Sequence, residues 1–237
     1  MLKVLDSYVV VDENNQWRYY DGFGDVAKYV LRTGIATDDT TGDPSEFTLT
    51  PVEAGTGTST VVNSATANSK LTVTTAANEY DGVNLQLKGE PFAFNSKKMY
   101  FGGKFTLSEA TQTDFLFGLA ETDTTLMATS SAHAIAVSGS GVFFAKLDGS
   151  TDIICYIYDG GSEVSSVTVG TMATDEIQLE VYYDGSYISV YVDGTKQAYV
   201  STGLPSEALT LSFNYRAGSA AARTCEIADM KAIQVYS

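Results

Sequence analysis

The sequence has little of what several chemistries require. Of 237 residues only Cys155 and Cys225 are cysteine, too few and too far apart for a disulfide framework or a cysteine-built zinc site. His133 is the only histidine, so a serine triad or a histidine-ligated metal would have to use it, and no Gly-x-Ser-x-Gly elbow precedes it. Basic side chains number 14 against 29 acidic ones, a net charge of −15. With no basic cluster to displace counterions from phosphates, a nucleic-acid groove is excluded. No apolar run approaches the roughly 20 residues of a membrane helix. The start, Met1-Leu2-Lys3-Val4-Leu5-Asp6, lacks the basic, apolar and small-residue order of a signal peptide. No cofactor is expected.

What is present is a period of two. Ile177, Leu179, Val181 and Tyr183 alternate with Glu176, Gln178, Glu180 and Tyr182, as in a half-buried strand. Val83, Leu85 and Leu87 against Asn84, Gln86 and Lys88 read the same way, as do Leu209, Leu211, Phe213 and Tyr215 against Thr210, Ser212 and Asn214. Further strands are predicted over Phe47–Val52, Thr58–Val62, Lys70–Thr75, Lys98–Leu107, Asp114–Leu119, His133–Val137, Val142–Leu147, Ile153–Tyr158, Ser165–Val169, Tyr187–Val192 and Cys225–Tyr236. Asp-Gly pairs occur six times, at 21–22, 81–82, 148–149, 159–160, 184–185 and 193–194, and such pairs between alternating runs signal hairpins. The four prolines sit at or beside strand ends, where a missing N–H costs little. Only Asp25–Arg32 could make two helical turns, and it reads equally well as a strand. Many short strands with such turns mean an all-β sandwich or barrel.

Residues 36–45, Ala36-Thr37-Asp38-Asp39-Thr40-Thr41-Gly42-Asp43-Pro44-Ser45, hold no bulky apolar side chain and cannot help a core. They divide an N-terminal arm or added edge, residues 1–44, from a main domain, residues 45–237. The arm carries the densest aromatic cluster, Trp17, Tyr19, Tyr20 and Phe23, which either covers one end of the sandwich or docks on a neighbouring protein. Oxygen ligands around Gly42 suit calcium in type, but the ordering of an EF-hand loop is missing, so no metal site is assigned. Cys155 shares a face with Ile153 and Ile157, and Cys225 with Ile227, so both read as small core residues with free thiols. His133 reads as a surface or hydrogen-bonded residue rather than a catalytic one.

Two stretches resemble a known fold. Tyr182-Tyr183-Asp184-Gly185-Ser186-Tyr187-Ile188-Ser189-Val190-Tyr191-Val192-Asp193-Gly194 looks like paired strands of concanavalin-A-like, laminin-G-like jelly rolls, and Cys225–Tyr236 is similar to their returning final strand. The implied fold is an antiparallel jelly-roll β-sandwich. Phe115–Ala128 and Leu204–Cys225 also resemble segments of jelly-roll structural proteins of tailed-phage virions. That resemblance implies a non-enzymatic virion protein that decorates the capsid or forms a head or tail appendage. It would be assembled in the host cytoplasm, bound to the major capsid protein or another virion neighbour, and a homo-oligomer. The alternative is a carbohydrate-binding, lectin-like module with tyrosines stacking on sugar faces, since many proteins of this fold are lectins. Laminarinase-like glycosidases of the fold carry Glu-x-Asp-x-Glu on one strand. Here the pattern is Glu176-x-Gln178-x-Glu180, and Gln178 cannot share a proton with a neighbouring carboxylate, so the stretch reads as a solvated strand face.

Overall fold

The computed structural model describes residues 3–6, 9–11, 17–19, 26–31, 47–63, 70–128 and 132–235. Among them every regular element is a strand. The N-terminal strands are β1 (Lys3–Asp6), β2 (Val9–Val11), β3 (Trp17–Tyr19) and β4 (Val26–Leu31). Next come β5 (Phe47–Val52), β6 (Thr60–Asn63), β7 (Leu71–Thr74), β8 (Gly82–Leu87), β9 (Met99–Leu107), β10 (Thr113–Ala120) and β11 (Gly141–Lys146). The chain closes with β12 (Asp152–Asp159), β13 (Ser162–Thr171), β14 (Ile177–Tyr183), β15 (Ile188–Val192), β16 (Thr195–Val200), β17 (Thr210–Ala217) and β18 (Thr224–Val235).

Two large antiparallel sheets result. One has seven strands in the order β13-β12-β11-β10-β17-β8-β5. The other runs β16-β15-β14-β9-β18-β7-β6, and β4 pairs with the later half of β18 where β7 has ended. A small sheet, β1-β2-β3, holds Trp17 and Tyr19. Tyr20, Phe23 and the acidic loop at 38–43 lie outside the described residues.

Turn chemistry closes the hairpins. Asp148-Gly149, Asp159-Gly160, Asp184-Gly185 and Asp193-Gly194 link consecutive strands from β11 to β13 and from β14 to β16. Asp193 at φ 49° and Gly194 at φ 73° are both left-handed, the geometry whose twist matches flanking strands. Asp81-Gly82 departs from the expected hairpin. Its carboxylate accepts from the amide of Ala54 and from Asn78, and Gly82 opens β8 so close to β17 that a Cβ there would stand 2.2 Å from the Tyr215 carbonyl oxygen.

Inward side chains of the two sheets form one core. Phe105 lies at its centre, with ring centroids 5.0, 4.7 and 5.8 Å from Phe115, Phe117 and Phe213. Cys155 faces in from one sheet and Cys225 from the other, both as free, buried thiols. Burial pushes the Cys155 thiol up to about 12 and raises that of Cys225 as well.

The outer face of the seven-stranded sheet corrects a sequence expectation. Alternation reads Asn84, Gln86, Thr210, Ser212 and Asn214 as a wet face, yet all are buried. The cause is the 20-residue connection between β10 and β11, which folds over this face. Its Leu126, Met127 and Val137 pack on Leu116, Phe143, Ala145 and Tyr156 as a second apolar layer. Its backbone meets the polar row: Asn84 donates to the Asp123 carbonyl at 2.8 Å and Gln86 to that of Glu121 at 3.0 Å. The predicted strand at His133–Val137 is part of this connection and keeps only a single bridge, Ile135 to Met127.

Candidate functional site

At one end of the seven-stranded sheet, loops gather a charged and aromatic cluster. Asp114 near the start of β10 and Arg216 near the end of β17 are cross-strand partners on the outer face, both fully buried, with Nη2 3.3 Å from Asp114 Oδ2. Arg216 Nη1 donates to the carbonyls of Met127 and Ala128, fixing the covering connection at this point. The return of that connection brings His133 Nδ1 to 2.7 Å from the same Asp114 oxygen. His133 Nε2 faces outward, 3.3 Å from Glu79 and 3.7 Å from Asp148. With carboxylates at both ring nitrogens, the imidazole is placed to donate twice, as an imidazolium. Burial opposes its charge, but the hydrogen bond and charge of Asp114, with Glu79 and Asp148, prevail and raise its pKa above the ordinary value.

Tyr80 completes the arrangement. Its ring stacks on His133 with centroids 4.7 Å apart, and the Arg216 guanidinium carbon lies 5.4 Å from the ring centre on which cation–π attraction acts. Tyr80 sits at φ 73°, a left-handed conformation that a bulky residue rarely holds and that marks strain at functional positions.

The hairpin between β11 and β12 contributes Asp148. Its amide donates to Asp114 Oδ1 at 2.8 Å, and its own Oδ1 is buried with no hydrogen-bond partner. Burial raises the Asp148 pKa, as Asp114 and Glu79 do, while His133 and Lys146 lower it. Gly218 packs beside it, where a Cβ would stand 1.8 Å from that oxygen. Beneath, the buried Lys146 donates to Thr111 and Thr113, and burial brings its pKa down to about 8 against the pull of Asp114, Asp148 and Glu109. Glu79 is the open side, with half of its side chain exposed.

No family model and no curated protein matches the chain. Solved structures do. The potassium-bound carbohydrate recognition domain of Emp46p is similar with a TM-score of 0.58 at 15% identity, over 86% of this chain and 95% of that one. A β-glucanase of Bacillus licheniformis gives 0.57 at 11% identity, covering 89% and 98%. The Crh5 transglycosylase in complex with NAG gives 0.56 at 13%, covering 89% and 84%. The chain has the concanavalin-A-like jelly-roll fold. At these identities the likeness speaks of fold alone.

On this jelly roll the Glu176-x-Gln178-x-Glu180 stretch lies on the other sheet and does not present a pair of carboxylates. Glu176 precedes β14, exposed, and forms an ion pair with Lys70 at 3.4 Å. Glu180, expected to be solvated, is only 1% exposed and accepts from the Tyr100 hydroxyl at 2.8 Å. Among the described residues no group of three or more His, Cys, Asp or Glu side chains is placed to hold a metal.

Of the residues singled out from sequence, only His133 belongs to the rim cluster, as the hydrogen-bonded residue it reads as. Trp17 and Tyr19 lie on β3. Glu79, Tyr80, Asp114, Asp148 and Arg216 come from four separate loops or strand ends. The one local signal among them, Asp148-Gly149, announces a turn.

Proposed function

We propose that this protein is a non-catalytic carbohydrate-binding module whose contact surface is the rim cluster. The observation that carries the proposal is the Tyr80–His133 stack flanked by Glu79 and by Asp148, whose buried Oδ1 has no partner. Sugars offer an apolar C–H face for a ring to cover and hydroxyl donors for carboxylates to accept. Asp148 keeps 21% of its side chain exposed and Glu79 half, so ligand hydroxyls can donate to both carboxylates beside the stack. The carbohydrate recognition domains and carbohydrate-active enzymes among the similar structures support this reading.

Glycan-array screening followed by isothermal titration with the best binder tests it. Saturable binding, weakened at least tenfold by Asp148→Ala, is expected. Silence across neutral and acidic glycans overturns it.

The virion reading, with a capsid partner, homo-oligomerisation and localisation to the particle, rests on the two segments quoted from the sequence. None of the similar structures named above is a virion component. Mass spectrometry of purified particles tests it, with the chain present at structural stoichiometry if it holds.

A further inference from the structure

A second arrangement lies on the outer face of the other sheet, over β14, β15 and β16. At its centre is Ser189, whose cross-strand partners are Tyr182 on β14 and Tyr199 on β16. Ile188, Val190 and Val192 face the core, so Tyr187 and Tyr191, two residues to either side of Ser189, share its outward face. One small side chain is thus bordered by four tyrosines, of which Tyr191 is buried and Tyr182 and Tyr187 are half-buried. The rings of Tyr187 and Tyr199 lie 4.3 Å apart, inclined by 39°, and Tyr199 is 53% exposed.

This surface already carries a cation. Lys196 and Tyr199 are three residues apart, which in a regular strand puts side chains on opposite faces. A bulge intervenes: Val190 faces Ala198 and Tyr191 faces Lys196, leaving Gln197 without an opposite number. Lys196 is thereby turned to the tyrosine face, with Nζ 5.2 Å from the centre of the Tyr199 ring. At the other side, the Asp184 carboxylate accepts from the amides of Ser186 and Tyr187. Burial works against its charge, yet these bonds hold its pKa below the ordinary value, so it is an anion beside the Tyr187 ring.

We infer that the surface formed by the paired rings of Tyr187 and Tyr199 binds a quaternary ammonium group, with Lys196 as its resident competitor. Ring faces attract a cation through their quadrupole, and a trimethylammonium needs no hydrogen-bond acceptor and gives up its water readily. Asp184 adds a counter-charge, and the net charge of −15 concentrates small cations at the surface. Choline headgroups and trimethylated lysine side chains both present this group.

The test titrates the full chain by calorimetry with choline and, separately, with 3,3-dimethylbutan-1-ol, its neutral carbon analogue. Nε-trimethyllysine amide runs in parallel, and the tighter of the two cations names the source. Saturable binding of a cation without binding of the neutral analogue is expected. Tyr199→Leu, which keeps apolar bulk without a π face, should weaken the cation by roughly five- to tenfold, while Lys196→Met should tighten it about two- to fivefold by vacating the ring. Both positions are exposed, and an unchanged melting temperature certifies each fold. No cation binding, equal binding of the neutral alcohol, or binding indifferent to both substitutions overturns the inference.

Discussion

The Tyr80 ring covers the His133 imidazole, with planes inclined by only 23°. The two residues come from different connections, one from the loop before β8 and one from the connection between β10 and β11. Tyr80 reaches the stack from a left-handed backbone, a conformation that costs of order 1–3 kcal/mol and persists only where the surroundings enforce it. Here they do: Arg216 lies over the ring and Asp114 holds the imidazole.

Stability should depend on pH through His133. Its pKa is raised on folding, so its contribution is complete below the unfolded value near 6.5 and is lost as pH rises through the folded value. Urea denaturation from pH 5.5 to 8.5 should show wild type exceeding His133→Gln at the acid end, with the gap closing as pH rises. A gap that widens with pH contradicts the assignment.

Asp114 is the keystone of the rim. Asp114→Ala leaves Arg216 buried without its carboxylate and deprives His133 and the Asp148 amide of an acceptor. Breaking a buried pair from one side costs about 3–5 kcal/mol, which a chemical denaturation midpoint will register.

Gly82→Ala should destabilise by about 1–3 kcal/mol, since its Cβ meets the Tyr215 carbonyl and forces β8 from β17. The melting temperature reads this directly. Gly89→Ala is no matched control, because Gly89 adopts φ 87°; Thr60→Ala, at an exposed strand position, is.

The thiols of Cys155 and Cys225 should be silent toward a thiol-specific reagent at pH 8 and react together on unfolding, because burial holds both in the neutral form. Rapid labelling of one cysteine in the native protein would contradict their placement in the core.

Much of the fold is legible because alternation is a local property. Val83, Leu85 and Leu87, or Leu211, Phe213 and Tyr215, declare which side faces the core whatever the distant chain does. Alternation cannot tell what lies on the other side. Asn84 and Ser212 look like surface residues until a connection folds over them. β16 escapes for a different reason: the bulge at Gln197 interrupts the period that would announce it. The rim cluster is a meeting of loops from distant parts of the chain, so no spacing encodes it. Its polar members, Asp114 and Arg216, look in sequence like any outward residues of a strand.

The central claim is that glycan binds at the rim, and amide chemical-shift mapping tests it most directly. When the uniformly ¹⁵N-labelled chain is titrated with the tightest glycan from the array, the account predicts shifts concentrated at Glu79, Tyr80, His133, Asp148 and Gly149. Saturable binding whose shifts leave those amides unmoved and fall elsewhere contradicts it.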